Sequence, residues 1–248
     1  MKLFRKLRRN LVALGKVKSY LIYALGEIVL IVIGVSIAWK INDLNDIRKN
    51  NLLEQKIYVS LNEELHSNQS SLVAIIDKYP ETISYLEHTL DYVGQQPDEI
   101  SQGAKDTIIN IFDKDVYLLD SSINSIVNTN KFEFIDCPDL KDLISAYPSK
   151  IQDFKEQDKK IKAIISNRLK PVLEKYVSLA DMLPTEDLKY KHIKQFGSKS
   201  DYSNLLADKE YQNSIIDRLL QTKKQFNTAK MLRGKTKILI TKLQAELD

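Results

Sequence analysis

The sequence predicts an all-α protein: an N-terminal transmembrane helix that continues into an elongated antiparallel helical bundle. Three observations predict it. Only seven Gly and six Pro occur among 248 residues. A chain so poor in both, and rich in Leu, Ile, Lys and Glu, disfavours sandwiches, barrels, collagen-like and disordered folds. Residues 20–39 form one apolar run interrupted only by Glu27. Beyond it, apolar residues recur every three or four positions almost to the C-terminus. At this length one domain or two small ones is expected.

The N-terminal segment, residues 1–19, is basic. Lys2, Arg5, Lys6, Arg8, Arg9, Lys16 and Lys18 face no acid there, so the chain's formal +4 leaves −3 for residues 20–248. The basicity is local, and a nucleic-acid partner loses its main support. Leu3, Phe4, Leu7, Leu11 and Leu14 recur at helical spacing between the basic residues. That is the pattern of a helix lying on anionic lipid; a disordered basic tail that only sets topology is the other reading.

The span follows, over residues 20–41. Its twenty core residues, Tyr20 to Trp39, cover about 30 Å as a helix, the thickness of the hydrocarbon layer. Tyr20 and Tyr23 at one end and Trp39 at the other stand where interfacial aromatics anchor. Seven basic residues precede the span, while Lys40, Arg48 and Lys49 follow it, offset by Asp43 and Asp46. The positive-inside rule then places the N-terminus in the cytoplasm and the rest across the membrane. A cleaved signal peptide also runs basic then apolar, and Ser36-Ile-Ala38 fits a cleavage site. The 26 residues before Glu27 and the length of the run favour a retained anchor. A buried soluble helix fits poorly, because Ile28–Ile33 is apolar on every face.

Inside the span, Gly26, Glu27, Gly34 and Ala38 are candidates for helix association. A carboxylate in lipid is expensive and normally faces protein, water or a cation. Gly34-x-x-x-Ala38 is a small-xxx-small pair that permits close helix approach. Glu27 is equally readable as a residue that snorkels to the interface with no task.

The bundle is expected over residues 42–248. Ile41, Leu44, Ile47, Leu53, Ile57, Leu61, Leu65, Leu72 and Ile76 carry the helical pattern onward as a stalk of about 35 residues, roughly 55 Å. Pro80 opens a second helix ending near Gly94, and a polar loop with Pro97 leads to Gly103. A short segment over Thr107–Phe112 and a helix over Val116–Val127 come next. Lys131–Ile135 alternates like a strand but has no strand to pair with, so it reads as a loop burying Phe132 and Phe134. Pro138 starts a long helix that Pro148 and Pro171 should kink or interrupt. Pro184 to Ser203 is the longest connection, and Asp208 caps a terminal helix weakened at Gly234.

Phe4-Arg-Lys-Leu-Arg, Tyr23-Ala-Leu-Gly-Glu-Ile-Val-Leu-Ile-Val-Ile-Gly-Val-Ser-Ile-Ala and Ile41-Asn-Asp-Leu-Asn carry a resemblance. The chain resembles an uncharacterised family of bacterial single-span membrane proteins, found in Gram-negative, gliding-type bacteria. Leu119-Asp-Ser-Ser-Ile-Asn-Ser, Lys131–Ile135 and Leu140–Tyr147 add to it. Gly26, Glu27 and Asn42 match the family's pattern. Asn42-Asp43-Leu44 stands where members have Asn-Asn-Trp, and Asn128-Thr-Asn130 where they have Ser-Gly-Asn. The likeness is strong over residues 1–50 and weak after 150. It implies an inner-membrane protein with a periplasmic helical domain and brings no activity.

The residues suggest no catalytic, cofactor-binding or metal site. His66, His88 and His192 lie far apart. Glu63, Glu64 and His66, like Glu87, His88 and Asp91, read as solvated helix faces. Cys137 is a lone thiol without a basic cluster beside it, and no phosphate loop or nucleophile elbow is present. Lys159-Lys160-Ile-Lys162 reads as a solvated basic face. The expectation is a single-pass inner-membrane protein, cytoplasmic at its N-terminus. Its periplasmic bundle would be a structural or accessory subunit, with the lipid bilayer and a protein partner or a second copy as its contacts. A ligand-sensing bundle signalling through a partner is the alternative, and a deep polar pocket would favour it.

Overall fold

The computed structural model describes residues 17–96, 98–111, 115–184 and 187–247, which are mainly helical with no strand among them. The all-α expectation holds. Helix α1 runs Val17–Ile76, α2 Tyr79–Asp91, α3 Gln102–Ile109, α4 Ser121–Val127 and α5 Pro138–Ile164. After a π turn, Ile165–Leu169, come α6 Lys170–Tyr176, α7 Lys191–Phe196, α8 Tyr202–Ala207 and α9 Lys209–Leu247. The described residues form two compact units dividing between Lys56 and Ile57.

The first unit contains the apolar run. Its most apolar 18-residue stretch has a mean hydropathy of 2.4 and none of it is buried. By length and composition this is one helix able to cross a membrane. Past the run, exposed pairs one turn apart decorate α1: Lys40–Asp43 at 3.4 Å and Lys49–Asp46 at 3.6 Å. Each adds only tenths of a kcal/mol to a helix (about 0.3–0.5).

The second unit is built on α5 and α9, which pack antiparallel. Tyr147 pairs with Thr236, Gln157 with Gln221, and Arg168 with Asp217, so one helix counts up as the other counts down. Two apolar clusters follow from this arrangement. One joins Leu61, Leu65 and Leu72 of α1 to Ile144 and Phe154 of α5 and Leu239 of α9. The other joins Leu86 of α2, Ile108 of α3, Leu169 and Leu173 to Leu205 of α8 and Ile215 of α9. Their residues recur at helical spacing because only such positions turn one stripe toward a common core.

Several sequence expectations need local correction. Pro80 opens α2 as expected, and Gly94 closes the following turn with φ +87°, a conformation natural to glycine. The short segment expected over Thr107–Phe112 forms instead over Gln102–Ile109, because the Ser101 hydroxyl accepts from the Ala104 N–H and starts the helix there. Phe112 and Pro97 lie outside the described residues. The helix expected over Val116–Val127 forms only from Ser121. The Asn68 side chain takes both the N–H and the C=O of Leu119, which satisfies that backbone without a helix. Lys131–Ile135 holds a 3₁₀ turn, Asn130–Phe134, and Phe132 and Phe134 pack against the first cluster.

Pro148 sits inside α5 without interrupting it. Ile144, Tyr147 and Ile151 are buried on either side, and their packing holds the helix through the missing hydrogen bond. Ahead of Pro171 the helix widens instead: the Lys170 N–H reaches the Ile165 carbonyl in the π turn. The 184–203 connection carries a 3₁₀ turn, Leu188–Tyr190, and α7.

Asp208 caps α9 as expected, its Oδ1 accepting from the Glu210 N–H at 2.7 Å. The Tyr176 hydroxyl donates to its Oδ2 at 2.9 Å, and this bond foremost holds the Asp208 carboxyl below the usual carboxylate range. A lowered folded value means stability that is present above the ordinary value of about 3.9 and lost as pH falls through the lower one. Asp208→Asn should therefore lower the melting temperature at pH 7, with the gap closing as melts are repeated down to pH 3. An equal gap at both ends would show that the charge is irrelevant to the cap.

Candidate functional site

Three places could carry function: the exposed stripe of the apolar helix, a buried polar seam, and the surface clefts of the second unit. In an unbroken α-helix each residue advances about 100°. Glu27, Gly34 and Ala38 thus fall within about 40° of one another on α1, whereas Gly26 stands about 100° away from Glu27. Glu27 is exposed, and a Cβ added at Gly34 or Gly26 would meet nothing within 4 Å. The stripe is open for a neighbour to approach. Trp39 is exposed at the far end of the run and Lys18 at the near end. Lys2, Arg5, Lys6, Arg8, Arg9, Lys16 and the Tyr20 side chain lie outside the described residues.

The seam overturns one reading. Sequence pattern puts Glu64 on a solvated face, yet it is buried, while Glu63 and His66 beside it are exposed. Its carboxylate accepts from the Ser122 N–H at 2.7 Å, the Ile123 N–H at 3.2 Å and the Ser121 hydroxyl at 3.2 Å. It caps α4 from another helix. Asp120, at the N-cap itself, makes no cap bond and pairs with Lys155 at 2.7 Å. One turn along α1 from Glu64, Asn68 grips Leu119 through its N–H and C=O, both at 2.7 Å.

Further along, the hydroxyls of Tyr147 and Thr236 meet at 2.8 Å, and burial pushes the Tyr147 phenol above its ordinary value, so it stays neutral. Gln225 donates to the Phe154 carbonyl at 3.1 Å. Periodicity marks Tyr147 as a core position but misses Glu64, Asn68, Gln225 and Thr236, because it scores apolar positions and the partners of these residues are remote in sequence. The seam satisfies backbone groups and fixes register; it leaves no acid, base and nucleophile converging on open space.

Two depressions stand out among the described residues of the second unit. The first, about 110 Å³, lies between α2 and α9 and is lined by Lys78, Tyr85, Thr89, Asn110 and Arg218, the last only 1% exposed. That volume is well below the roughly 300 Å³ at which organic ligand pockets begin. The second, about 400 Å³, is a groove between α5 and α9 with Lys150, Asp153, Glu156, Lys160, Lys224 and Met231 on its walls. Mixed charges on solvated helix faces describe it. Nearby, Ile216, Leu220, Met231 and Ile238 are exposed on one side of α9.

Among the described residues no three of His, Cys, Asp and Glu gather as for a metal. Glu87, His88 and Asp91 are exposed, with Glu87 paired to Lys223 at 2.7 Å. Cys137 is a free thiol, half-buried against the first cluster. Lys159 and Lys160 are solvated as expected, whereas Lys162 bridges Asp115 at 2.6 Å and Asp158 at 2.8 Å. Those carboxylates raise the Lys162 pKa above the usual lysine range. No protein-family profile, curated protein or solved structure matches the chain.

Proposed function

We propose that the chain is a single-pass inner-membrane protein whose helical domain is a structural or accessory subunit acting through protein contacts. The observation that carries this is the stripe of Glu27, Gly34 and Ala38 on an apolar helical stretch, none of which is buried. In lipid such a stripe gains by association: small residues let backbones approach, and a carboxylate seeks a polar partner across the interface. The exposed apolar side of α9 offers the helical domain a contact of its own. The excess of Lys and Arg ahead of the span supports a cytoplasmic N-terminus and a periplasmic domain. The resemblance to the single-span bacterial family belongs to the same proposal, and one helix running unbroken through the apolar stretch favours an anchor over a leader.

Native mass spectrometry of the full chain in mild detergent tests it. A dimer or higher oligomer, or a co-purifying protein, is the expected result. Gly34→Leu should shift that population toward monomer by about tenfold, because the added side chain blocks the close backbone approach that Gly34 permits. Bare monomer for the wild-type chain would sink the reading.

A further inference from the structure

The connection between Asp187, which caps the Leu188–Tyr190 turn by accepting from the Lys189 N–H, and α8 holds a surface unlike the rest of the second unit. Residues 188–200 contain Lys189, Lys191, Lys194 and Lys199 and no acid, in a chain whose residues 20–248 are net acidic. Between the lysines stand apolar side chains facing solvent: Leu188 is 83% exposed, Phe196 67% and Ile193 48%. Ile193 and Phe196 lie three residues apart on α7 and so share one face.

The segment is held in place. Lys194 donates to the Leu183 carbonyl at 2.7 Å, and the Ser178 N–H donates to Ser200 at 2.9 Å. Phe196 leans on the His192 ring at 4.8 Å. Gly197 ends α7 with its N–H on the Ile193 carbonyl at 2.8 Å, and a Cβ there would collide with that same oxygen. Only glycine closes the helix this tightly, so Ile193 and Phe196 are presented outward by a built turn. The neighbouring acids are engaged locally: Asp187 with Lys189 at 2.9 Å, Asp181 with the Ser200 and Tyr202 hydroxyls at 2.7 Å each, and Asp201 with the Asn204 N–H at 3.0 Å. Lys191 and Lys199 are exposed.

We propose that residues 188–199 form a docking surface for an anionic lipid bilayer. Exposed apolar tips on a short rigid segment, ringed by lysines, suit the headgroup layer: the tips enter the acyl boundary while the ammonium groups meet lipid phosphates. Charge complementarity selects the occupant. A protein partner would need a broader matching surface, whereas a bilayer accepts three protruding side chains and the ammonium groups of Lys191 and Lys199 beside them. The surface is separate from the N-terminal basic segment and does not depend on the helix-association reading.

The test uses the full chain reconstituted in phosphatidylcholine nanodiscs and floated with vesicles of phosphatidylcholine, with or without about 30% phosphatidylglycerol to supply the anionic surface. Recovery with the anionic vesicles alone, lost in roughly 0.5 M salt, is expected. Lys191→Gln with Lys199→Gln should weaken it by about 30-fold, roughly five- to sixfold per lysine. Phe196→Ser should weaken it at constant charge. In a Trp39→Phe background, Phe196→Trp should shift its emission to the blue with anionic vesicles and be quenched by brominated acyl chains. The proposal is overturned if these variants float like the wild type, which would assign binding to the basic N-terminus, or if the indole introduced by Phe196→Trp stays in water.

Discussion

Replacing Glu64 with Ala should destabilise the helical domain by about 2–4 kcal/mol, read as a lowered urea midpoint for the full chain in detergent. The side chain is buried and serves three donors, two of them backbone N–H groups at the start of α4. Ala leaves those groups without an acceptor, and each orphaned donor costs on the order of 1–3 kcal/mol when water cannot reach it. Water entering the gap recovers part of that, which keeps the expected loss below the sum. Glu64→Gln retains one acceptor oxygen and should fall between Ala and the wild type. If Ala and Gln were equally harmless, the cap would be formed by other groups and the reading of the seam would be wrong.

Phe154→Ala should cost more, about 3–5 kcal/mol, because it empties a site in the first cluster. The ring is only 1% exposed, and the cluster around it brings together α1, α5 and α9. The neighbouring hydrogen bond, from the Gln225 side-chain amide, is accepted by the Phe154 backbone carbonyl and so survives the truncation. The loss therefore measures packing and cavity formation separately from the polar seam. Phe154→Leu fills most of the volume and should recover over half of it. A change under about 1 kcal/mol for the Ala variant would mean that the cluster is loosely packed.

Much of this architecture was legible in the sequence because helices bury stripes. Leu61, Leu65 and Leu72, then Leu140, Ile144 and Ile151, then Tyr211, Ile215 and Leu219 were readable from spacing alone, and each is buried. Pro80 and Asp208 marked helix starts through local chemistry that needs no distant partner. What escaped depends on distance along the chain. Nothing near Val116 announces that Asn68, about fifty residues earlier, will take over its neighbour's backbone bonds and delay α4 to Ser121. Glu64 looked like one more helix-surface acid, since burial of a carboxylate follows from the donors it meets and these lie nearly sixty residues away. Arg218 and Gln225 likewise fall on the inward side of α9 between apolar neighbours, where a polar residue lowers the apparent periodicity. Within the apolar run, composition named Gly26, Glu27, Gly34 and Ala38 together. Helix geometry separates Gly26 from the other three.

The grip of Glu64 and Asn68 on residues 119–123 also has a mechanical side. Five hydrogen bonds leave two residues one turn apart and hold a single short stretch of chain. Sliding this part of α1 by one residue along its axis, about 1.5 Å, would also turn it by about 100°. Both side chains would then swing away from their partners at once. The joint therefore resists axial pull and torque in an all-or-none manner: it carries a small load without yielding and releases as a unit beyond it. Force applied along α1 at Ile57 would load this grip together with the apolar cluster that Ile57, Tyr58 and Leu61 share with α5 and α9.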